Sequence, residues 1–121
     1  MLTLRKNPVT YNLCTDTVTI YHKDGETYSA KVFNRAFFDN KKNLSVDKTG
    51  SHDGNSFLLV IPCDTQVVFP GDKVRRGAHE SVTTREEWAA LNPTKVPDLN
   101  VVSNVDVKYW HGRIVHCEAG G

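Results

Sequence analysis

The sequence predicts an all-β protein: a small antiparallel β-barrel or sandwich with one short inserted helix at about 83–91 and a long polar loop at about 39–55. Three observations lead there. Short runs of β-branched and aromatic residues alternate with polar ones, as in "TVTIYH" (Thr17 to His22) and along Val101, Ser103, Val105, Val107 and Tyr109. Turn-forming pairs, Asp24-Gly25, Pro70-Gly71 and His111-Gly112, punctuate these runs. A single stretch, "TTREEWAALNP", carries the start and stop signals of a helix. A chain of 121 residues supports one domain with a real core. We place that domain at 17–121, behind an N-terminal arm at 1–16.

In chain order, Val18 and Ile20 share one face of the first strand, with Thr17, Thr19 and Tyr21 on the other. Asp24-Gly25 turns the chain, and the return strand sets Tyr28, Ala30 and Val32 on one face. Asp39 to Asn55 is rich in Lys, Asp, Asn and Gly and has only Leu44 and Val46 as apolar members, so it reads as a functional loop with one weak strand near Leu44. "SFLLVIP" is apolar on both faces, which makes it either a central strand or one whose outer face meets a partner. Pro62 ends its ladder because proline has no N–H to donate. "FPGDKV" is a tight turn and a restart. Thr83 and Glu86 have capping-box spacing, Trp88 and Leu91 share a helix face, and Asn92-Pro93 stops the helix. "LNVVSNVDVKYW" and "RIVHCE" form a terminal hairpin around His111-Gly112.

A formal net charge of +1 gives no general drive toward nucleic acid or membrane. The longest apolar run, Phe57 to Ile61, is strand-sized, and the first residues lack the apolar core of a secretory signal, so cytoplasmic synthesis is expected. Cys14, Cys63 and Cys117 are odd in number and widely spaced, which reads as three free thiols. His22, His52, His79, His111 and His116 form no paired-ligand motif with them, so neither metal nor cofactor is expected. Cys63 follows Pro62 with no helix starting behind it to depress its pKa, and no nucleophile elbow or phosphate loop occurs; we expect no enzyme activity. Lys41, Lys42 and Lys48 with Lys73, Arg75 and Arg76, together with Tyr21, Tyr28, Phe33, Tyr109 and Trp110, are the residues an OB-like nucleic-acid-binding module would use for its basic groove and stacking platforms. That module is the alternative reading.

The order of segments resembles a known group. A "TVTIYHKDG" hairpin, a variable polar loop, an apolar strand ending in "IP", a "PGDKV" turn and the terminal hairpin "VVSNVDVKYWHGRIVHCEAGG" follow one another from about Thr17 onward. This resembles the head-completion proteins of tailed bacteriophages, the stopper or head-closure group and related minor capsid proteins of the neck. The resemblance implies a structural β-barrel in a homo-oligomeric, six-subunit ring that closes the filled head and joins it to the tail. Portal or adaptor and tail-completion proteins would be its partners, double-stranded DNA would pass through its channel, and its place would be the virion neck after synthesis in the host cytoplasm. It also implies a channel-facing loop, here carrying Lys41, Lys42, Lys48 and Asp53. The apolar Phe57, Leu59 and Ile61, with Trp88, are the expected subunit interface. The insertion "HESVTTREEWAALNPTKVP" is longer than a minimal barrel needs.

Overall fold

The computed structural model describes residues 11–45 and 52–121; within 41–45 and 52–56 the description is of the backbone alone. The expected all-β class is what the chain adopts. Seven strands, β1 (Asp16–Asp24), β2 (Thr27–Ser45), β3 (His52–Pro62), β4 (Lys73–Arg76), β5 (Leu99–Val101), β6 (Asn104–Trp110) and β7 (Arg113–Gly120), form one antiparallel sheet in the order β5-β4-β1-β2-β3-β7-β6. The sheet curls. Its two edge strands, β5 and β6, are joined through Val102 and Ser103 alone, so consecutive elements lie at opposite edges of the list and the sheet must fold back on itself to connect them. Val102 N donates to Asp72 O and Ser103 N to Gly120 O, tying the crossing to both sides.

β2 makes the curl. Its first half pairs with β1, from Asp24↔Thr27 to Asp16↔Ala36, and its second half pairs with β3. The register slips between Asp16 and Val18, a bulge that bends the strand from one half-sheet into the other. Beyond the bulge β2 has left β1, and the backbone of buried Phe38 needs other partners. Its N–H donates to Asp16 Oδ2 at 3.0 Å, and its carbonyl accepts from Arg76 Nη2 at 3.0 Å. Arg76 Nη1 lies 3.4 Å from Asp16 Oδ1 and its guanidinium sits 5.0 Å above the Phe38 ring, so the two charged side chains close the corner as a unit.

The main core lies inside the curl: Val18, Ile20, Ala36, Phe38, Phe57, Leu59, Ile61, Val68, Val74, Val102, Cys117 and Ala119. A second cluster of Tyr21, Val82, Leu91 and Leu99 lies on the other face, with Tyr28, Ala30 and Trp88 packed against it. Both faces of the first strand are covered: Val18, Thr19, Ile20 and Tyr21 are all buried, with Tyr21 packed in the cluster that Val82 and Leu91 form around α1 (Arg85–Ala90). Thr19 is accommodated there by donating to Gly77 O and accepting from His79 N.

Local details follow backbone chemistry. The β1–β2 turn falls on Gly25 and Glu26, one residue later than expected; Gly25 alone takes a positive φ (60°), as a turn with glycine first requires. At Pro70-Gly71 the turn closes through Asp72 N to Phe69 O. The helix cap is Thr84, whose hydroxyl accepts from Glu87 N, rather than Thr83 with Glu86. The polar 39–55 segment is a correction of more consequence. Its described parts are not loop but ladder, paired from Asp39↔Leu58 to Ser45↔His52. "LNVVSNVDVKYW" is not one strand either; it breaks at Val102-Ser103 into β5 and β6.

Two substitutions test this arrangement. Leu59→Ala, at a fully buried site, should cost about 2–5 kcal/mol in urea unfolding, whereas Leu58→Ala on the outer face should stay within about 0.5 kcal/mol. Asp16→Ala should cost about 1–3 kcal/mol, because it strips the Phe38 amide and Arg76 of a shared partner.

Candidate functional site

Among the described residues, the β2–β3 pair has no third strand past Asn40 and Phe57: β1 pairs with β2 only as far as Ala36, and β7 reaches β3 only from Leu58 onward. Residues 41–45 and 52–56 are therefore a two-stranded ribbon projecting from the sheet, about 17 Å long at the usual rise per residue. Its root is held firmly. Phe38 and Phe57 pack edge to face with centroids 5.9 Å apart, Arg76 covers Phe38, and Asn40 Nδ2 donates to Asp98 Oδ1 at 3.3 Å. Asp98 itself takes a left-handed φ of 56° and its Oδ2 lies 3.7 Å from Arg76 Nε. Near this root the side-chain carbonyl of Asn40, and on β5 both amide atoms of Asn100, are buried without a protein hydrogen-bond partner.

The expected channel residues fall on this ribbon. Lys41 pairs with Ser56, Lys42 with Asn55 and Leu44 with Asp53, while Lys48 lies outside the described residues. The expected interface is corrected. Phe57, Leu59 and Ile61 are 7%, 0% and 1% exposed and belong to the main core, so they offer no surface to a neighbour. The outward members of that run are Leu58 and Val60, which with Tyr11, Leu13, Cys14 and Phe37 line an open apolar groove. Trp88 is half-buried against its own chain, its ring tilted over Tyr28 and stacked 4.4 Å from Lys73 Nζ.

That last contact, with Arg76, decides the fate of the expected basic groove. Lys73 Nζ donates to Trp88 O at 2.7 Å, and burial, with Lys23 nearby, lowers its pKa. Arg76 is committed to Asp16, Asp98 and Phe38. Of the proposed stacking platforms, Tyr21 is buried, Tyr28 lies under Trp88, and Phe33 packs on the main core; Tyr109 is exposed. Lys73, Arg76, Tyr21, Tyr28 and Phe33 are thus spent on the fold, while Tyr109 is not.

Two arrangements escaped the sequence reading. His22 Nδ1 pairs with Asp72 Oδ1, and the buried Asp72 also accepts from Phe69 N at 2.8 Å, so one carboxylate closes the Pro-Gly turn and orients an imidazole at the rim of a cavity of 480 Å³. No described hydroxyl or thiol hydrogen-bonds His22, although its cross-strand partner Ser29, and Thr65, line the same cavity. Asp72 stood in the turn motif, but its partner is 50 positions away, and no spacing rule reaches that far. The second is Cys63 Sγ, 3.2 Å from Cys117 Sγ. Burial, with the hydrogen bond and charge of Cys117, pushes the Cys63 thiol up to about 12. Among the described residues no three His, Cys, Asp or Glu side chains gather as metal ligands would.

The molecule is thus an all-β domain, a curled antiparallel sheet with a two-stranded extension. It belongs to a family of unknown function, DUF6751, whose profile it matches over residues 13–121. No curated protein and no solved structure matches it.

The thiol environment gives a measurable consequence. At pH 8, alkylation of Cys63 by iodoacetamide should run about a thousandfold slower than that of an ordinary thiol, since its pKa stands three units above 9.0. A thiol that keeps its proton longer in the folded chain than in the unfolded one contributes stability that is full below pH 9 and is lost as pH rises toward 12. Unfolding midpoints should fall across that window, and Cys63→Ala should flatten the fall.

Proposed function

We propose that this chain is a structural subunit of a tailed-phage neck, a head-tail connector protein that assembles as a six-subunit ring, closes the filled head and lets DNA pass. The observation that carries this reading is the β2–β3 ribbon. Among the described residues the ribbon has no third strand, and a two-stranded hairpin alone is marginal in water. Here it is built on a corner braced through Asp16, Arg76, Phe38 and Asn40. A braced root under an unsupported extension suits an element completed by neighbouring copies. In this reading the ribbons lie side by side around the channel and bring the segment that carries Lys41, Lys42, Lys48 and Asp53 to the passing duplex.

With Phe57, Leu59 and Ile61 committed to the core, the subunit contact in this reading moves to the outer face of the same strand, where Leu58 is 43% and Leu13 75% exposed. Burying such apolar surface favours association. Portal or adaptor proteins on one side and tail-completion proteins on the other would be the ring's platforms. The segment order of the chain supports the same assignment.

Light scattering over a concentration series tests the reading. The full chain should rise toward six times the chain mass, while a variant with 42–55 replaced by a two-residue turn keeps its circular dichroism and melting point but stays monomeric. Leu58→Asp should likewise fold and fail to assemble. A chain that is monomeric with and without its ribbon, and binds single-stranded DNA with a steep salt dependence, would replace this reading with the OB-like one.

A further inference from the structure

We propose that Cys63 and Cys117 are an oxidation site: a dithiol that closes into an intramolecular disulfide and locks the terminal hairpin to β3. The inference stands on geometry and does not depend on the neck reading. β3 and β7 pair as Ile61↔Cys117 and Pro62↔His116, so Cys63 sits one step past the last ladder pair, diagonal to Cys117 on the same face. Its amide still reaches Val115 O at 3.2 Å, which keeps the chain beside β7, while Pro62 frees it from the strict ladder. The two sulfurs are 3.2 Å apart and need to close by about 1 Å to reach bonding distance. Cys117 is fully buried and Cys63 half-buried at the strand end, so an oxidant meets Cys63 first. Cys14 is buried under the outer face, on the opposite side of the sheet from the inward Cys117, and lines the groove with Leu58 and Val60.

The oxidant is a low-molecular-weight disulfide, RSSR. The Cys63 thiolate attacks one sulfur, the S–S bond of RSSR breaks and RS⁻ leaves. The Cys117 sulfur, after giving up its proton, attacks the mixed disulfide at Cys63 and expels the second RS⁻. Two protein thiols are oxidised, one RSSR is reduced, and the two protons end on the released RSH. The product joins residues 63 and 117 across the line where β7 leaves β3, so the β6–β7 hairpin can no longer peel from the sheet. A reducing cytoplasm keeps the pair as thiols and an oxidising exterior closes it.

The test refolds the full chain from urea in a glutathione redox buffer at pH 8.5, so that burial of the native thiols does not limit the rate. After acid quenching and denaturation, free thiols should fall from three to one, and a non-reducing peptide map should join the peptides containing Cys63 and Cys117. Cys63→Ala, at a half-buried site, should fold and keep both of its thiols. The oxidised chain should melt roughly 10 °C higher than the reduced one, reversibly with dithiothreitol. Three thiols after refolding, a bridge that includes Cys14, glutathione retained on Cys63, or a lower melting point would each overturn the proposal. None of these outcomes bears on ring assembly, which is read by mass.

Discussion

β2 serves two half-sheets in succession, and the backbone hydrogen bonds that it cannot make at the hand-over govern the shape of the molecule. A strand that changes partners in mid-course has a stretch where one edge faces nothing, and a buried peptide group there costs about 1–3 kcal/mol if left unmet. The chain meets that cost with charge: Asp16 accepts from Phe38 N and Arg76 donates to Phe38 O. Because Asp16 begins β1 and Arg76 ends β4, the same pair holds three strands at one corner. The bend that lets the sheet curl around its core, and the departure of the β2–β3 ribbon, both start there.

A second economy lies in how few residues close the curl. Val102 and Ser103 carry the chain from one sheet edge to the other, and Val102 also fills the core. Asp72 sits beside this crossing, with its carbonyl on Val102 N, its carboxylate on Phe69 N and His22, and the adjacent Gly71 N on Val102 O. A buried carboxylate is tolerable when its oxygens are hydrogen-bonded in this way. The helix adds the other half of the packing. It is too short to be stable alone and is held by its Thr84 cap, by Leu91 beneath it and by Lys73 against Trp88.

The sequence reading reached as far as local rules extend. Turns are written in glycine and proline, so Pro70-Gly71 and His111-Gly112 were legible to the residue. The phase of β3 was not. "FLLVI" is apolar at every position, and a one-residue change of phase exchanges its faces; only packing shows that Phe57, Leu59 and Ile61 point in and Leu58 and Val60 out. The polar 39–55 segment looked like loop because strand signals are chiefly apolar signals, and Asp39, Asn40, Lys41, Lys42 and Asn43 in succession carry none. Arg75 and Arg76 looked alike in sequence, yet Arg76 is spent on a corner that exists only once β2 has bent. Cys63 and Cys117, 54 positions apart, could not be paired before the β3–β7 register was known.

The corner and the ribbon belong to one device. If the ribbon were a passive loop, its root would need no more than a turn to hold it. Instead an ion pair, a guanidinium over a ring, an aromatic pair and an Asn–Asp hydrogen bond converge where it leaves the sheet. Bracing of that kind fixes a direction: the angle at which two strands project cannot vary while Phe38 is held on its backbone and on its ring. A fixed direction matters to an element that must meet its equivalent in another subunit, where a few degrees at the root become ångströms at the tip. It matters little to a tether or a mobile flap. The bracing at residues 36–40, gathered where β2 and β3 run on as a pair, is the feature on which the proposed assembly role draws.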